Sequence, residues 1–164
     1  MNPDALSDLV LLAACAASAW RVAVVRAAWR GAMLLLGLAA AMGVLRYSGL
    51  EWALGPHRFF SLLAACVAFW LMVAALRWPQ APLARQATAV GRFVVLLGGL
   101  GIAASQVGAA WWAQVVPGLS ALVLAWTMVQ QRSALGILGS VALVASFVVA
   151  ALAAPDVQLL GMFN

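Results

Sequence analysis

The chain has 164 residues, 67% of them hydrophobic and only 8% charged, with a mean hydropathy of +1.08. About 25% of residues are charged in soluble domains, so this composition excludes one. The net charge of +5 would point to nucleic acid in a water-soluble protein, but most of the nine arginines flank apolar runs, which reads as membrane topology and contact with anionic lipid instead. Each membrane span needs ~20 apolar residues, so the spans nearly use up the length and the connections must be short. The expected fold is all-α: a single polytopic bundle of about six transmembrane helices.

The N-terminus, Met1 to Asp8, carries Asp4 and Asp8 ahead of its apolar run. A cleavable signal peptide has the opposite charge there, so the first run is expected to stay as a helix entering from the outer side. It spans 6–25, with Ser7 and Asp8 placed to cap its first turn. Arg26-Ala27-Ala28-Trp29-Arg30 follows as a basic, aromatic connector suited to the headgroup layer. The second helix covers 32–50 and ends at a break, Glu51 to Arg58, that contains Gly55 and Pro56. The third covers 59–76; Arg77 to Arg85, with Pro79 and Pro82, makes a loop on the inner side.

The fourth helix covers 91–112. The fifth covers 115–131, with Pro117 expected in its first turn, where proline is tolerated. The sixth covers 133–154, and Pro155-Asp156 marks an exit to the outer side. In this arrangement Arg21, Arg26, Arg30, Arg77, Arg85, Arg92 and Arg132 lie inside. Arg46 and Arg58 lie outside with all four acids, Asp4, Asp8, Glu51 and Asp156. The arginine bias fixes the orientation as N-out and C-out in a bacterial cytoplasmic membrane.

Helices in lipid associate through close packing of small residues. Ala39/Gly43, Gly101/Ser105, Ala104/Gly108 and Gly136/Ser140 each put two small side chains one turn apart, for packing within the bundle or against a protein partner or second copy. Trp29, Trp52, Trp78, Trp111 and Trp112 fall at span ends as interface anchors, while Trp20, Trp70 and Trp126 fall within or near the ends of spans.

Polar groups that could carry chemistry are sparse. Arg46 sits about a turn inside the outer end of the second helix, with Asp4, Asp8 and Glu51 as same-side partners. It is either a snorkelling arginine beside a surface acid or part of a ligand site. His57 stands alone, and with no Cys or His neighbour no metal or cofactor site is expected. Cys15 and Cys66 lie in apolar runs and form no CxxC pair, so they read as small hydrophobes. Ser61, Ser105, Ser120, Ser140, Ser146 and Thr127 are suited to bonds between helices or back to their own backbone. No Gly-x-Ser-x-Gly elbow, phosphate loop or HExxH motif is present. The candidate ligand-binding set is Asp8, Arg46, Tyr47, Glu51 and His57.

Leu6-Ser7-Asp8-Leu9-Val10-Leu11, Gly43-Val44-Leu45-Arg46-Tyr47-Ser48-Gly49 and Gly161-Met162-Phe163-Asn164 resemble the first six helices of a bacterial group related to the CREST membrane hydrolases. That superfamily includes alkaline ceramidases and progestin/adiponectin-type receptors. The resemblance implies a seven-helix bundle holding zinc through a histidine near the end of the second helix and an HxxxH pair on the last. Arg46 and Tyr47 stand where that histidine is expected, and no HxxxH follows Asn164. The resemblance thus implies a metal-free relative or a chain that stops before its last helix, and zinc-dependent amide hydrolysis does not carry over.

Three function classes are in play: a non-catalytic membrane subunit or scaffold packed against a partner or lipid, a degenerate hydrolase-like lipid-binding or lipid-processing protein using the outer cluster, and a small transporter. For the last, only Gly98-Gly99-Leu100-Gly101 with Ser105-Gln106 hints at a site near the midplane.

Overall fold

A computed structural model describes residues 3–21, 26–109 and 111–153. The end of the first expected helix, Pro155-Asp156 and the Gly161–Asn164 motif lie outside the described residues. Among the described residues the chain is all-α: α1 (Pro3–Arg21), α2 (Ala27–Tyr47), a 3-10 turn (Glu51–Ala53), α3 (Leu54–Leu63), a π-helical turn (Ala64–Ala68), α4 (Phe69–Arg77), α5 (Pro82–Arg85), α6 (Ala87–Gln106), α7 (Trp112–Gln130) and α8 (Ala134–Ala153). Four stretches are long and apolar enough to cross a membrane: Pro3–Trp20, Ala27–Tyr47, Glu51–Arg77 and Ala87–Gln106. The apolar stretches Gln114–Gln130 and Ala134–Val149 are shorter.

Several boundaries differ from the sequence reading, each for a local reason. Pro3 opens α1 and Asp4 lies in its first turn, where a preset φ and a negative charge both favour a helix start. Ser7 and Asp8 therefore sit inside the helix, and the Ser7 hydroxyl donates to the Asp4 carbonyl at 2.8 Å. The Arg26–Arg30 connector is mostly the first turn of α2, since nothing in Ala-Ala-Trp-Arg breaks a helix. Gly55 and Pro56 do not break the chain either, because both fall in the first turn of α3, where a missing N–H costs nothing. Pro82 likewise starts the short helix α5 inside the expected loop. Pro117 lies within α7 rather than at its start.

Three helices end alike. After α2, Gly49 takes φ +95°, its N–H donates to the Arg46 carbonyl at 3.1 Å, and the N–H of Leu50 donates to the Leu45 carbonyl at 3.2 Å. This is the Schellman closure, which needs a left-handed residue just past the helix. Gly108 plays that part after α6 with φ +78°, and Arg132 after α7 with φ +53°.

The α4 C-terminus is closed by other helices. Arg26 donates to the Ala75 carbonyl at 2.8 Å, and the Gln131 amide donates to the Leu76 carbonyl at 3.0 Å. Arg77 bonds the side chain of Gln130. These bonds satisfy carbonyls that a helix end leaves orphaned, and they gather the start of α2 and the ends of α4 and α7, with their arginines, at one end of the bundle.

The core lies among α1, α2, the π turn, α4 and α6 and is built from Cys15, Ala28, Ala32, Met33, Leu35, Ala64, Cys66, Val67, Ala68, Leu71, Ala75 and Val90. Its alanines let backbones approach closely. Side chains added at Gly98 and Gly136 would overlap Leu63 and Met128, and one at Gly101 would lie 2.7 Å from Cys66 Sγ. Gly108, by contrast, serves the turn and has nothing within 4 Å. Trp29 and Trp112 pack partly into the core instead of standing free at span ends, and Trp29 donates to Ser18 Oγ at 3.1 Å. The outer faces of α1, α6 and α8 expose Leu9, Val10, Val95, Leu96, Leu135 and Leu138.

Candidate functional site

The site is built on Gly43, at the end of the bundle opposite the arginine-rich one. α1 and α2 cross so closely there that a side chain at position 43 would overlap the Asp8 carboxylate and lie 3.2 Å from His57 Cε1. Asp8 from α1 and His57 from the N-terminal part of α3 thus converge on one bare stretch of α2.

Ala39, Gly43 and Tyr47 recur every four residues and so share one face of α2. That face holds the imidazole. His57 Nδ1 lies 3.3 Å from the Ala39 carbonyl oxygen, and the ring meets Tyr47 edge-on, 5.9 Å between centroids at 69°. A ring nitrogen facing a carbonyl oxygen bonds to it only when it carries a proton, so the geometry places the proton on Nδ1. In the neutral ring the other nitrogen is then an acceptor.

Arg46 is turned aside. Its guanidinium lies 5.0 Å over the ring of its neighbour Tyr47, and it forms no ion pair with Asp8 or Glu51. Glu51 is exposed at the start of the 3-10 turn. Of the five residues singled out from the sequence, Asp8, Tyr47 and His57 come together, Arg46 is attached through Tyr47, and Glu51 stays apart.

Beneath Asp8 and His57 opens a cavity of about 220 Å³ whose wall includes Leu36, Ser61, Phe69 and Phe147. Asp8 Oδ2 is buried without a hydrogen-bond partner among the described residues, an arrangement that ordinarily costs about 1–3 kcal/mol. Ser61, one helical turn after His57, also has no partner among the described residues. Ser105, Ser120, Ser146 and Thr127, in contrast, each donate to a carbonyl of their own helix at 2.7–2.8 Å. The π turn begins just past Ser61 and puts Ala64 and Ala65 on the cavity wall. Such turns insert one residue into the helical register and often mark functional positions.

A second cavity of about 350 Å³ lies beside the first. The two share Leu36 and Phe69, and the second runs on past Trp29, Met128, Gly139 and Ser140, between α2 and α8. Phe69 and Phe147 meet edge-on at 5.8 Å where α8 closes over the cleft. From Ala40 back to Trp29, α2 covers about 16 Å at 1.5 Å per residue, so the two cavities lie side by side along α2, the first holding Asp8, His57 and Ser61 and the second, lined mostly by apolar side chains, holding Ser140.

No hydrogen bond links Asp8, His57 and Ser61 into a relay, because His57 Nδ1 faces Ala39. Among the described residues no group of three or more metal-ligating side chains forms. Sequence reasoning missed the Ala39 carbonyl, the π turn and the place of Ser61 in the site. Only the four-residue spacings 39/43/47 and 57/61 hinted at the last.

Compared with known proteins, the chain matches no family model, no curated protein and no solved structure.

Proposed function

We propose that this is a non-catalytic, multi-pass protein of the bacterial cytoplasmic membrane, with six spans and α1 entering from the outer face, that binds an amphiphile. The hydrocarbon chain lies in the cleft between α2 and α8, and the polar end sits at Asp8 and His57 near the outer surface. The observation that supports this reading is that Leu36 and Phe69 line both cavities, which sets a mostly apolar hollow directly beside one that carries Asp8 and His57. The combined lining runs about 16 Å along α2, which suits a hydrocarbon chain within a bilayer core of about 30 Å. The orientation rests on the arginines tied together at the ends of α4 and α7, with Asp8, Glu51 and His57 at the far end.

Two other readings are less well supported. For a scaffold, the small-residue faces should be free for a partner, but of the four pairs Gly43, Gly101 and Gly136 are already met by side chains of this chain, and only Gly108 is open, at a turn. For a transporter, a broken helix is needed, but α6 is continuous from Ala87 to Gln106 and Ser105 bonds its own backbone.

The test is native mass spectrometry of the protein extracted from membranes in a mild detergent. The wild type should carry lipid-sized adducts. Gly139 lines the cleft and has nothing within 4 Å of an added side chain, so Gly139→Leu fills the channel and should remove them without lowering stability. Equal adducts on both proteins would rule out the cleft as the binding place.

A further inference from the structure

Resting on the reading of the cleft as an amphiphile site, we infer that its ligand is a hydrocarbon chain ending in a primary ammonium, supplied either by a free long-chain amine or by the ethanolamine headgroup of a lipid. The polar mouth offers acceptors that lack donors. Among the described residues Asp8 Oδ2 is buried and unpartnered, Ser61 has no partner, and in the neutral form of His57, whose Nδ1 faces the Ala39 carbonyl, the other ring nitrogen is an acceptor.

The lining excludes the opposite charge. Among the described residues its only charged or titratable members are Asp8 and His57, and no arginine, tryptophan or side-chain amide lines this cavity. Arg46, the nearest cation in sequence to Gly43, lies over Tyr47 and outside the wall. An anionic end with no ammonium of its own, such as the carboxylate of palmitate, would meet the Asp8 carboxylate with only His57 beside it. Asp4, one turn earlier on α1, adds a second negative charge near Asp8. An ammonium satisfies this set through charge-assisted hydrogen bonds, which are about twice as strong as neutral ones. A quaternary ammonium has no N–H to give and would leave Asp8 Oδ2 unpaired. Gly43 keeps the mouth open, because any side chain there would occupy the space in front of the carboxylate.

The experiment uses the full chain in a maltoside detergent and compares retention of hexadecylamine, hexadecanol, palmitate and hexadecyltrimethylammonium by native mass spectrometry. Hexadecylamine should be retained about tenfold more than the other three, a difference of about 1.4 kcal/mol. Asp8→Asn should reduce it to the level of hexadecanol, and Ser61→Ala should lower it several-fold, which keeps the test open if Asp8→Asn folds poorly. Lysophosphatidylethanolamine against lysophosphatidylcholine separates the sources: an Asp8-dependent preference for the former assigns a lipid headgroup, and retention of the free amine alone assigns a soluble amine. Equal retention of all four hexadecyl compounds, blocked by Gly139→Leu, would overturn the ammonium assignment and leave the cleft standing. Retention of none by the wild type would overturn both.

Discussion

The Asp8 carboxylate and the Gly43 backbone are in such close apposition that no side chain fits between them, and His57 Cε1 stands 3.2 Å from the same point. Gly43→Ala must therefore move α1 or displace the carboxylate, an overpacking cost of roughly 1–3 kcal/mol. Thermal unfolding in detergent should show a lowered Tm. Gly99→Ala is the control: nothing lies within 4 Å of an added Cβ, and replacing a helical glycine should leave stability unchanged or raise it by up to about 1 kcal/mol. Equal Tm values for Gly43→Ala and the wild type would mean that α1 is not seated tightly on α2.

The α4 terminus depends on side chains far away in sequence. Removing Arg26 leaves the Ala75 carbonyl without its donor, and removing Gln131 does the same to Leu76. Arg26→Leu should cost about 1.5–3 kcal/mol, because its bond is charge-assisted and part-buried, and the exposed Gln131→Leu about 0.5–1.5 kcal/mol. Denaturant titration of the single and double variants checks both values. An unchanged Arg26→Leu protein would refute the cross-helix cap.

Arg132 holds the left-handed position that glycine fills after α2 and α6. A side chain there costs about 1–2 kcal/mol of local strain, partly offset in Arg132→Gly by the greater freedom of glycine in the unfolded chain. Arg132→Gly should raise the Tm modestly, whereas Arg132→Val should lower it. Because Arg132 also counts toward orientation, topology should be measured on the same variant.

The orientation itself is open to thiol labelling. Cys15 and Cys66 are buried, with Cys66 at 0% exposure, so both should stay unmodified by maleimide in the folded protein and provide a silent background. Ser48 and Gln80 are exposed at opposite ends of the bundle. Ser48→Cys should react with a membrane-impermeant maleimide in spheroplasts, and Gln80→Cys only after permeabilisation. The reverse pattern would invert the topology.

Much of the helical architecture was legible because hydrophobic run length and arginine position act independently of tertiary detail. The runs around Leu36 and Leu71 are long and apolar, and Arg26 and Arg77 lie at their ends. Helix boundaries were less legible at prolines: Pro56 and Pro82, read as breakers, fall in first turns, and Pro117, read as a first-turn residue, lies inside α7. Asp8, Tyr47 and His57 stood out as rare polar groups in an apolar chain. Their convergence did not, since it depends on the α1–α2 crossing at Gly43, which no single-helix pattern encodes. Ser61 looked like any other membrane serine. What sets it apart is its place on the cavity wall one turn after His57, just ahead of the π turn.

The central claim is that a hydrocarbon chain occupies the α2–α8 cleft. Cells expressing the protein can be fed palmitate bearing a mid-chain diazirine, which they build into the acyl chains of their phospholipids, then irradiated, and the crosslinked peptides mapped. The account predicts adducts concentrated at cleft residues, Leu36, Phe69, Met128 and Leu143, and their loss in Gly139→Leu. Adducts confined to the outward face of α6, at Val95, Leu96 and Leu100, would contradict it, because they would show lipid only around the bundle and none within it.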